Sequence, residues 1–365
     1  MRKHKLLIVL IALGLTWAGI ASAQDKPLEE QLVDALTKVF GAYPGFRTNH
    51  AKGTVVEGTF KASPEAAGLS RAVLFNGNAI PVTVRFSDAT GIPTLPDGSG
   101  DANPHGMAIK FHLPDGSDTD MVMVSLKFFP VATAEDFRDL LLAVAASPPD
   151  APKPTKLEQF VASHPTVGAA NATVSTPDSF ATEEYHGINA FVFVNTASAK
   201  QAVRYEMMPE RTVHLSAADA AQKPPNFLVD EIQERLKRGP VTFRLRAQLA
   251  VAGDPTKDPT KPWPSDRKVV DLGVLTIDKA APNSAEAEKK LLYMPSQLTD
   301  GIEESMSPDN TLFGMERILE VVRKHLKASA REIVEALYKS VRQFSKNTPQ
   351  TDDVTAIVIK VKQDV

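Results

Sequence analysis

One histidine in the first part of the chain stands among residues that could support proton transfer. His50 belongs to the segment Arg47-Thr48-Asn49-His50, and a strand-like segment further on carries Arg85 and Ser87. An imidazole with a pKa near its ordinary value of about 6.5 moves protons readily at neutral pH. The two guanidinium groups could hold the carboxylates of a large anionic cofactor through bidentate, charge-assisted hydrogen bonds.

The composition limits the kinds of site that the chain can form. It has 365 residues and no cysteine, which excludes a thiol nucleophile, a thiolate metal ligand and a zinc site built from cysteines. A hydrophobic content of 43% is enough for a large core in one or two domains. The net charge of -3 gives no indication of nucleic-acid or general membrane-surface binding. Five further histidines lack the spacing of a ligand pair and are interpreted as structural or solvated: His105, His112, His164, His186 and His214.

The first 23 residues have the pattern of a secretory signal peptide. A basic start, Arg2–Lys5, precedes the apolar run Leu6–Ile20 and the small-residue cleavage motif Ala21-Ser22-Ala23. A membrane anchor is the alternative, but the apolar run is shorter than the roughly 20 residues that a membrane span needs. We therefore expect a mature protein that begins at Gln24, is periplasmic or secreted, and makes no membrane contact after cleavage.

Hydrophobic patterning predicts the elements that must position His50. Alternating, β-branched segments predict strands at Thr54–Lys61, Ile80–Ser87, Met107–His112, Met121–Phe129, Ala190–Val194, Ala202–Met207, Val241–Ala252 and Lys268–Ile277. Helical spacing predicts helices at Pro27–Phe40, Ala134–Ala146, Thr155–His164, Phe227–Lys237, Ser284–Leu292, Phe313–Leu326 and Ala328–Phe344, followed by a strand at Asp353–Lys362. The strand series favours an α+β fold with a closed antiparallel barrel. We expect a signal peptide at 1–23, a barrel domain at 24–297 and a helix-helix-strand tail at 298–365.

Ordered motifs between residues 30 and 303 resemble the catalase family, and most closely its short, exported catalase-related peroxidases. These motifs are Arg47–Gly53, Val84–Ser87, Gly106–Phe111, Asp120–Val122, Phe128–Pro130, Glu135–Phe137, Val203–Tyr205, Asp258–Thr260, Trp263-Pro264 and Leu272-Gly273. The resemblance implies a catalase-like barrel that binds haem b. It also implies a peroxide substrate, hydrogen peroxide or an organic hydroperoxide, and a small organic electron donor.

The same resemblance implies roles for individual residues. His50 would be the distal acid–base residue that moves a proton from one peroxide oxygen to the other. Ser87 would accept a hydrogen bond from the far ring nitrogen of His50 and fix its tautomer. The remaining predicted contacts to haem are two arginines on the propionates and two phenylalanines on the porphyrin: Arg47, Arg85, Phe128 and Phe137.

One departure from the family pattern predicts a peroxidase that dismutates hydrogen peroxide poorly. Large catalases carry an asparagine, after an Asp-Leu-Val run, that helps to bind peroxide. The matching segment here is Asp120–Ser125, which has no asparagine, and Val124 stands nearest to that position. Without the amide donor, a second hydrogen peroxide is held less well for oxidation.

The iron ligand is carried over less directly. Family members use a tyrosinate that follows a Gly-Ile-Glu-x-Ser segment, with an arginine one turn earlier that keeps the phenolate ionised. The lead-in Gly301–Ser305 is present, but the expected Arg-x-x-x-Tyr does not follow. Tyr338 is the only tyrosine beyond the lead-in and is the candidate axial ligand, with Arg331 two turns before it. Packing of Tyr338 against the barrel or within the core of the tail is the alternative.

The tail resembles a second family, the bacterial metal-dependent serine/threonine phosphatases. The similar segments are Asp300-Gly301, Asn310–Arg317, Glu332–Leu337 and Gln350–Thr355, and Asp300 and Asp352 would be metal ligands. Hard divalent ions need several oxygen ligands, however, and the N-terminal half of that family is missing. The chain therefore looks like a peroxidase with an exchanged last segment. The hypotheses are a haem peroxidase, an inactive barrel without its axial tyrosine, and a metal-dependent phosphatase.

Overall fold

The structure, a computed structural model, describes residues 26–303, 320–321, 323–325 and 330–344. The predicted signal peptide, most of the predicted helix Phe313–Leu326 and the predicted strand Asp353–Lys362 lie outside these residues. Of the helices that are described, none combines the length and the apolar character that crossing a bilayer requires.

The described strands form one antiparallel sheet. They are β1 (Gly53–Ala62), β2 (Ala79–Asp88), β3 (His105–His112), β4 (Asp118–Val124), β5 (Tyr185–His186), β6 (Phe191–Val194), β7 (Lys200–Pro209), β8 (Val241–Leu249), β9 (Val269–Ala280) and β10 (Ile302–Glu303). Eight of them close a ring in the order β1, β2, β3, β4, β5, β7, β8 and β9, and β9 pairs with β1. Strand β6 extends the sheet from β7, and β10 extends it from β6. The predicted closed antiparallel barrel is confirmed.

Nine α-helices are described, and six of them lie where helices were predicted. The nine are α1 (Leu28–Phe40), α2 (Pro64–Leu69), α3 (Ala134–Ala145), α4 (Lys156–Ser163), α5 (Pro165–Asn171), α6 (Ala217–Ala221), α7 (Phe227–Arg238), α8 (Ser284–Lys290) and α9 (Ala330–Phe344). Helices α2, α5 and α6 were not predicted. Capping residues explain some offsets from prediction. The Thr155 hydroxyl accepts a hydrogen bond from the Glu158 amide, and the Glu158 carboxylate accepts one from the Thr155 amide. Thr155 is therefore the cap of α4, and the helix begins one residue later.

Side chains fill the barrel interior. Alternate residues of β2, Val84 and Phe86 among them, point inward, because successive side chains of a strand lie on opposite faces of the sheet. Phe86 stacks on Phe180 with a centroid separation of 5.3 Å. The fully buried Tyr185 donates a hydrogen bond to the Phe180 carbonyl at 3.0 Å. A packed interior leaves the outer face of the barrel and its ends as the places for a functional site.

One predicted strand ends too late. The predicted strand Met121–Phe129 is too long, because pairing ends at Val124. Beyond Val124, the Ser125 hydroxyl accepts a hydrogen bond from the His105 backbone amide, and the Phe129 backbone amide donates one to the Pro259 carbonyl. The domain boundary near residue 298 stays a prediction, but the sheet continues past that point through β10.

Candidate active site

The predicted site residues of β2 lie on the outer face of the barrel. Arg85 and Ser87 alternate with the inward-pointing Phe86, so both side chains point away from the core. Ser87 pairs across the sheet with Gly106 of β3. Residues 41–52, which precede β1, bring His50 onto this face, and α8 packs beside it against β1.

Two contacts of His50 and one of the next residue hold His50 in an unusual backbone conformation. Its φ of 54° is in the left-handed region, which costs a non-glycine residue about 1–2 kcal/mol. The His50 Nδ1 atom lies 3.0 Å from the Ser87 hydroxyl, and the His50 carbonyl accepts from Arg85 Nη2 at 2.9 Å. The backbone amide of Ala51 donates to the backbone carbonyl of Thr90 at 2.9 Å. The contact expected between His50 and Ser87 is therefore present, while the catalytic roles remain predictions.

Gly106 permits this arrangement because it has no side chain. A Cβ atom built there would lie 2.9 Å from the Ser87 hydroxyl and 3.0 Å from both Nδ1 and Cε1 of His50. Distances this short require the imidazole or the hydroxyl to move. Gly106 belongs to a family motif, but its closeness to His50 could not be read from sequence.

If His50 and Ser87 have the roles that the family resemblance implies, Gly106→Ala is expected to lower peroxide turnover by about 10–100-fold, because a displacement of catalytic groups by about 1 Å has effects of this order. Steady-state kinetics and thermal unfolding of the same preparation would measure this. Gly100→Ala is the matched control, since a Cβ atom at Gly100 meets nothing within 4 Å. Full activity in Gly106→Ala would show that the position of the imidazole is not critical.

The surroundings keep the His50 imidazole neutral. Burial lowers its pKa most, the nearby Arg85 guanidinium adds to this, and the pKa falls to about 4. A hydrogen bond from the ring to the backbone carbonyl of Asp88 opposes the shift. With Nδ1 engaged by Ser87, Nε2 is the nitrogen that can take up a proton.

Both predicted propionate-binding arginines contact α8. Arg85, whose side chain is only 4% exposed, donates from Nε and Nη2 to the Glu288 carboxylate at 3.1 and 2.8 Å. Arg47 donates from Nη2 to the backbone carbonyls of Glu288 and Leu291 at 3.0 and 2.8 Å. Its Nη1 atom lies 3.7 Å from the Glu288 carboxylate. Glu288 was not predicted as a site residue, and no local pattern distinguished it from its neighbours in the helix.

Among the described residues, the remaining predicted haem contacts share no hydrogen bond or ring contact with this group. Phe137 packs edge-on against Phe129 at 5.3 Å in a small helical cluster, and Phe128 is half-buried. Tyr338, on α9, is 50% exposed. Within the described residues, no hydrogen bond or ring contact joins Phe128, Phe137 or Tyr338 to His50. The structure thus brings together His50, Ser87 and both arginines.

The phosphatase alternative gains no support from the described residues. They contain no group of three or more histidines, aspartates or glutamates that could hold a metal ion. Asp300, one of its two expected ligands, instead accepts two hydrogen bonds from Arg71 at 2.9 and 2.7 Å. The other, Asp352, lies outside the described residues.

Two family models match the sequence. The model described as Catalase covers residues 31–319, and the model described as Stage II sporulation protein E (SpoIIE) covers residues 285–362. The two matched ranges overlap in residues 285–319. Both resemblances expected from the motifs, one for the barrel and one for the tail, are therefore confirmed.

Curated relatives and solved structures agree with the first match. A catalase-related peroxidase of Mycolicibacterium paratuberculosis is 38% identical over 76% of this chain and 89% of its own length. A catalase-related peroxidase of Synechococcus elongatus is 34% identical over 82% of this chain and 89% of its own length. A bacterial catalase structure superimposes with a TM-score of 0.64 at 18% identity, and catalase A of Saccharomyces cerevisiae with 0.61 at 16%. This chain covers 63% and 57% of those two structures. The chain belongs to the catalase family and is similar to its catalase-related peroxidases.

Proposed function

We propose that the chain is an exported haem-dependent peroxidase that reduces hydrogen peroxide or an organic hydroperoxide with electrons from a small organic donor. The observation that carries the proposal is the His50–Ser87 pair beside two arginines on one face of the barrel. Relatives named catalase-related peroxidase support it.

The residues of this face fit the distal side and the acidic edge of haem b. Arg47 and Arg85 carry two positive charges and share one carboxylate, that of Glu288. A further anion, such as a propionate, would balance the remaining positive charge. When bound, haem would supply the iron that takes up the peroxide and the electrons that reduce it.

The work of the protein in this proposal is proton transfer by His50. The neutral imidazole takes a proton at Nε2 from one peroxide oxygen while Nδ1 stays on the Ser87 hydroxyl. The same imidazole then gives that proton to the other oxygen, which leaves as water or as an alcohol. A pKa near 4 makes the protonated ring acidic enough to return the proton, so that no hydroxide is released.

The position of Val124 supports a preference for organic donors over a second hydrogen peroxide. Val124 ends β4 and pairs across the sheet with Gly106, the residue that lies against His50. Its side chain offers no hydrogen-bond donor for a peroxide held beside the imidazole. We propose that dismutation is slow for this reason.

The proposal of export is based on the first 23 residues, which have a basic start, an apolar run and a small-residue cleavage motif. We propose that the mature chain begins at Gln24 and acts in the periplasm or outside the cell.

Absorption spectroscopy of residues 24–365, after adding haemin and removing the excess, tests the proposal. We expect a sharp Soret band with the charge-transfer features of a high-spin ferric tyrosinate. We also expect Tyr338→Phe to shift or bleach that spectrum, whereas Tyr43→Phe, another partly exposed tyrosine, should not. An unchanged spectrum in Tyr338→Phe would remove Tyr338 as the ligand. Haemin that washes away from the unmodified protein would instead support the inactive barrel.

A further inference from the structure

Two buried acids lie directly behind the distal histidine. Asp88 ends β2 and is 1% exposed, and Asp97, in the loop before β3, is fully buried. Because side chains alternate along a strand, Asp88 points to the opposite face from Ser87, into the end of the barrel. Its cross-strand partner is His105, which is also fully buried.

The two acids differ in their partners. Asp97 contacts the Lys52 ammonium and accepts a hydrogen bond from the Leu228 amide at 2.8 Å. Asp88 has no hydrogen-bond partner for either carboxylate oxygen among the described residues, and neither does either ring nitrogen of His105. The His105 Nε2 atom lies 3.5 Å from Asp88 Oδ1. A buried ionised carboxylate without a donor is strongly disfavoured.

A proton on Asp88 would give hydrogen-bond partners to the Asp88 carboxyl and to the His105 ring. A neutral Asp88 carboxyl can donate to Asp97, which lies within hydrogen-bonding reach and whose Oδ1 atom, although in contact with the Lys52 ammonium, can accept a second hydrogen bond. Its other oxygen can accept from a neutral His105 ring. Lys52 and Asp97 then balance each other, and no unpaired charge remains. Burial, reinforced by Asp97, raises the pKa of Asp88 to about 8, and burial lowers that of His105 to about 3.

We propose that Asp88 is a positioning residue that holds a proton at neutral pH and fixes the support of the distal histidine. Its neutral carboxyl links Asp97 and Lys52 to His105, at the place where the Ser87 side chain and the Asp88 carbonyl hold the His50 ring. The catalytic meaning of this support rests on the proposed function, but the protonation of Asp88 does not.

Ionisation of Asp88 would place a second negative charge beside Asp97 and behind His50. The titratable and charged groups that face Asp88 are Asp97, Lys52, Arg85, His105 and Tyr185, and His105 in turn faces His50 and His214. Arg85 and Lys52 favour the ionised form, whereas Asp97 opposes it. Loss of the Asp88 proton at higher pH should therefore change the electrostatic environment of both the His50 and the His105 ring.

Histidine-labelled, haem-free protein (residues 24–365) followed by NMR tests the proposal. We expect the ring signals of His50 and His105 to shift near pH 8. Neither imidazole itself titrates there, because burial lowers the pKa of His50 to about 4 and that of His105 to about 3. Asp88→Asn should abolish this shift, because an amide can donate to Asp97 as the neutral carboxyl does. The matched control is Asp118→Asn, which removes a more exposed carboxylate that lies 2.8 Å from His112 on the same sheet. In that variant the His50 shift should remain.

Thermal unfolding gives a second measurement. The folded-state pKa of Asp88 is raised above its unfolded value, so the folded chain holds a proton that the unfolded chain releases between about pH 4 and pH 8. This contribution to stability is lost as pH rises through that window. The Tm of Asp88→Asn should therefore rise relative to that of the unmodified protein between pH 5 and pH 8.

Three results would overturn the proposal. One is a shift near pH 8 that persists in Asp88→Asn, and another is a Tm deficit of that variant that grows with pH. If the variant does not fold, the unmodified protein still decides, because no shift in either histidine signal near pH 8, together with no loss of stability between pH 5 and pH 8, shows that Asp88 is already ionised at pH 5. These results are independent of haem binding, so failure of the proposed peroxidase function would be recognised separately, by haemin that is not retained.

Discussion

His50→Ala is expected to slow peroxide cleavage by about 10²–10⁴-fold, the usual contribution of a positioned acid–base group. Haem should remain bound, because the arginine contacts to α8 do not involve the imidazole. Stopped-flow absorption after mixing haem-loaded protein with hydrogen peroxide would measure cleavage directly, and the Soret band would report haem retention.

The controls for this experiment follow from the backbone at position 50. Alanine there keeps a φ of 54°, which is strained, whereas asparagine tolerates left-handed backbone better. His50→Asn therefore separates loss of the base from a change of loop conformation, and both variants should be equally slow. His112→Ala, which removes a more exposed histidine of β3, should cleave peroxide normally. Normal cleavage by His50→Asn would mean that another group transfers the proton.

Glu288→Ala is expected to destabilise the haem-free protein by about 3–5 kcal/mol, the typical effect of removing one partner of a buried ion pair. The Arg85 side chain is 4% exposed and that of Glu288 is 14% exposed, so the guanidinium would lose its carboxylate in a place that water hardly reaches. Urea unfolding of both proteins at the same pH would measure the change in the free energy of unfolding.

A neighbouring ion pair in the same helix provides the comparison. Glu286 accepts from Lys289 at 2.7 Å with both side chains more than half exposed, and such pairs contribute about 0–1 kcal/mol. Glu286→Ala should thus be nearly neutral. An equally small effect of Glu288→Ala would indicate that Arg85 is satisfied by water or by the His50 carbonyl alone.

The sequence predicted the barrel well because its strands are long and alternate clearly. Strand β2 was expected at Ile80–Ser87 and runs from Ala79 to Asp88. Strand β5 was missed, since two residues carry no detectable period, although it completes the ring between β4 and β7. Helix α6 was missed for a similar reason, being only five residues long.

The site was predictable only where a family motif named the residue. His50, Ser87, Arg47 and Arg85 were found through motifs, and the fold brings all four together. Glu288 could not be found, because its bond to Arg85 joins residues 203 positions apart and depends on how α8 packs. His105 was interpreted as structural or solvated, and only the strand pairing shows that it faces a buried carboxyl.

The pairing of β1 with β9 also determines when this site can form. Strand β1 is the first of the barrel and β9 the last of its ring, so the seam between them joins residues 53–62 to residues 269–280. Contacts between such distant parts of a chain form slowly, because a long loop must close before they are gained. A nascent chain must be made as far as α8 before Arg47 and Arg85 find their partners. The histidine pocket, although its first residues are made early, is therefore completed late in folding.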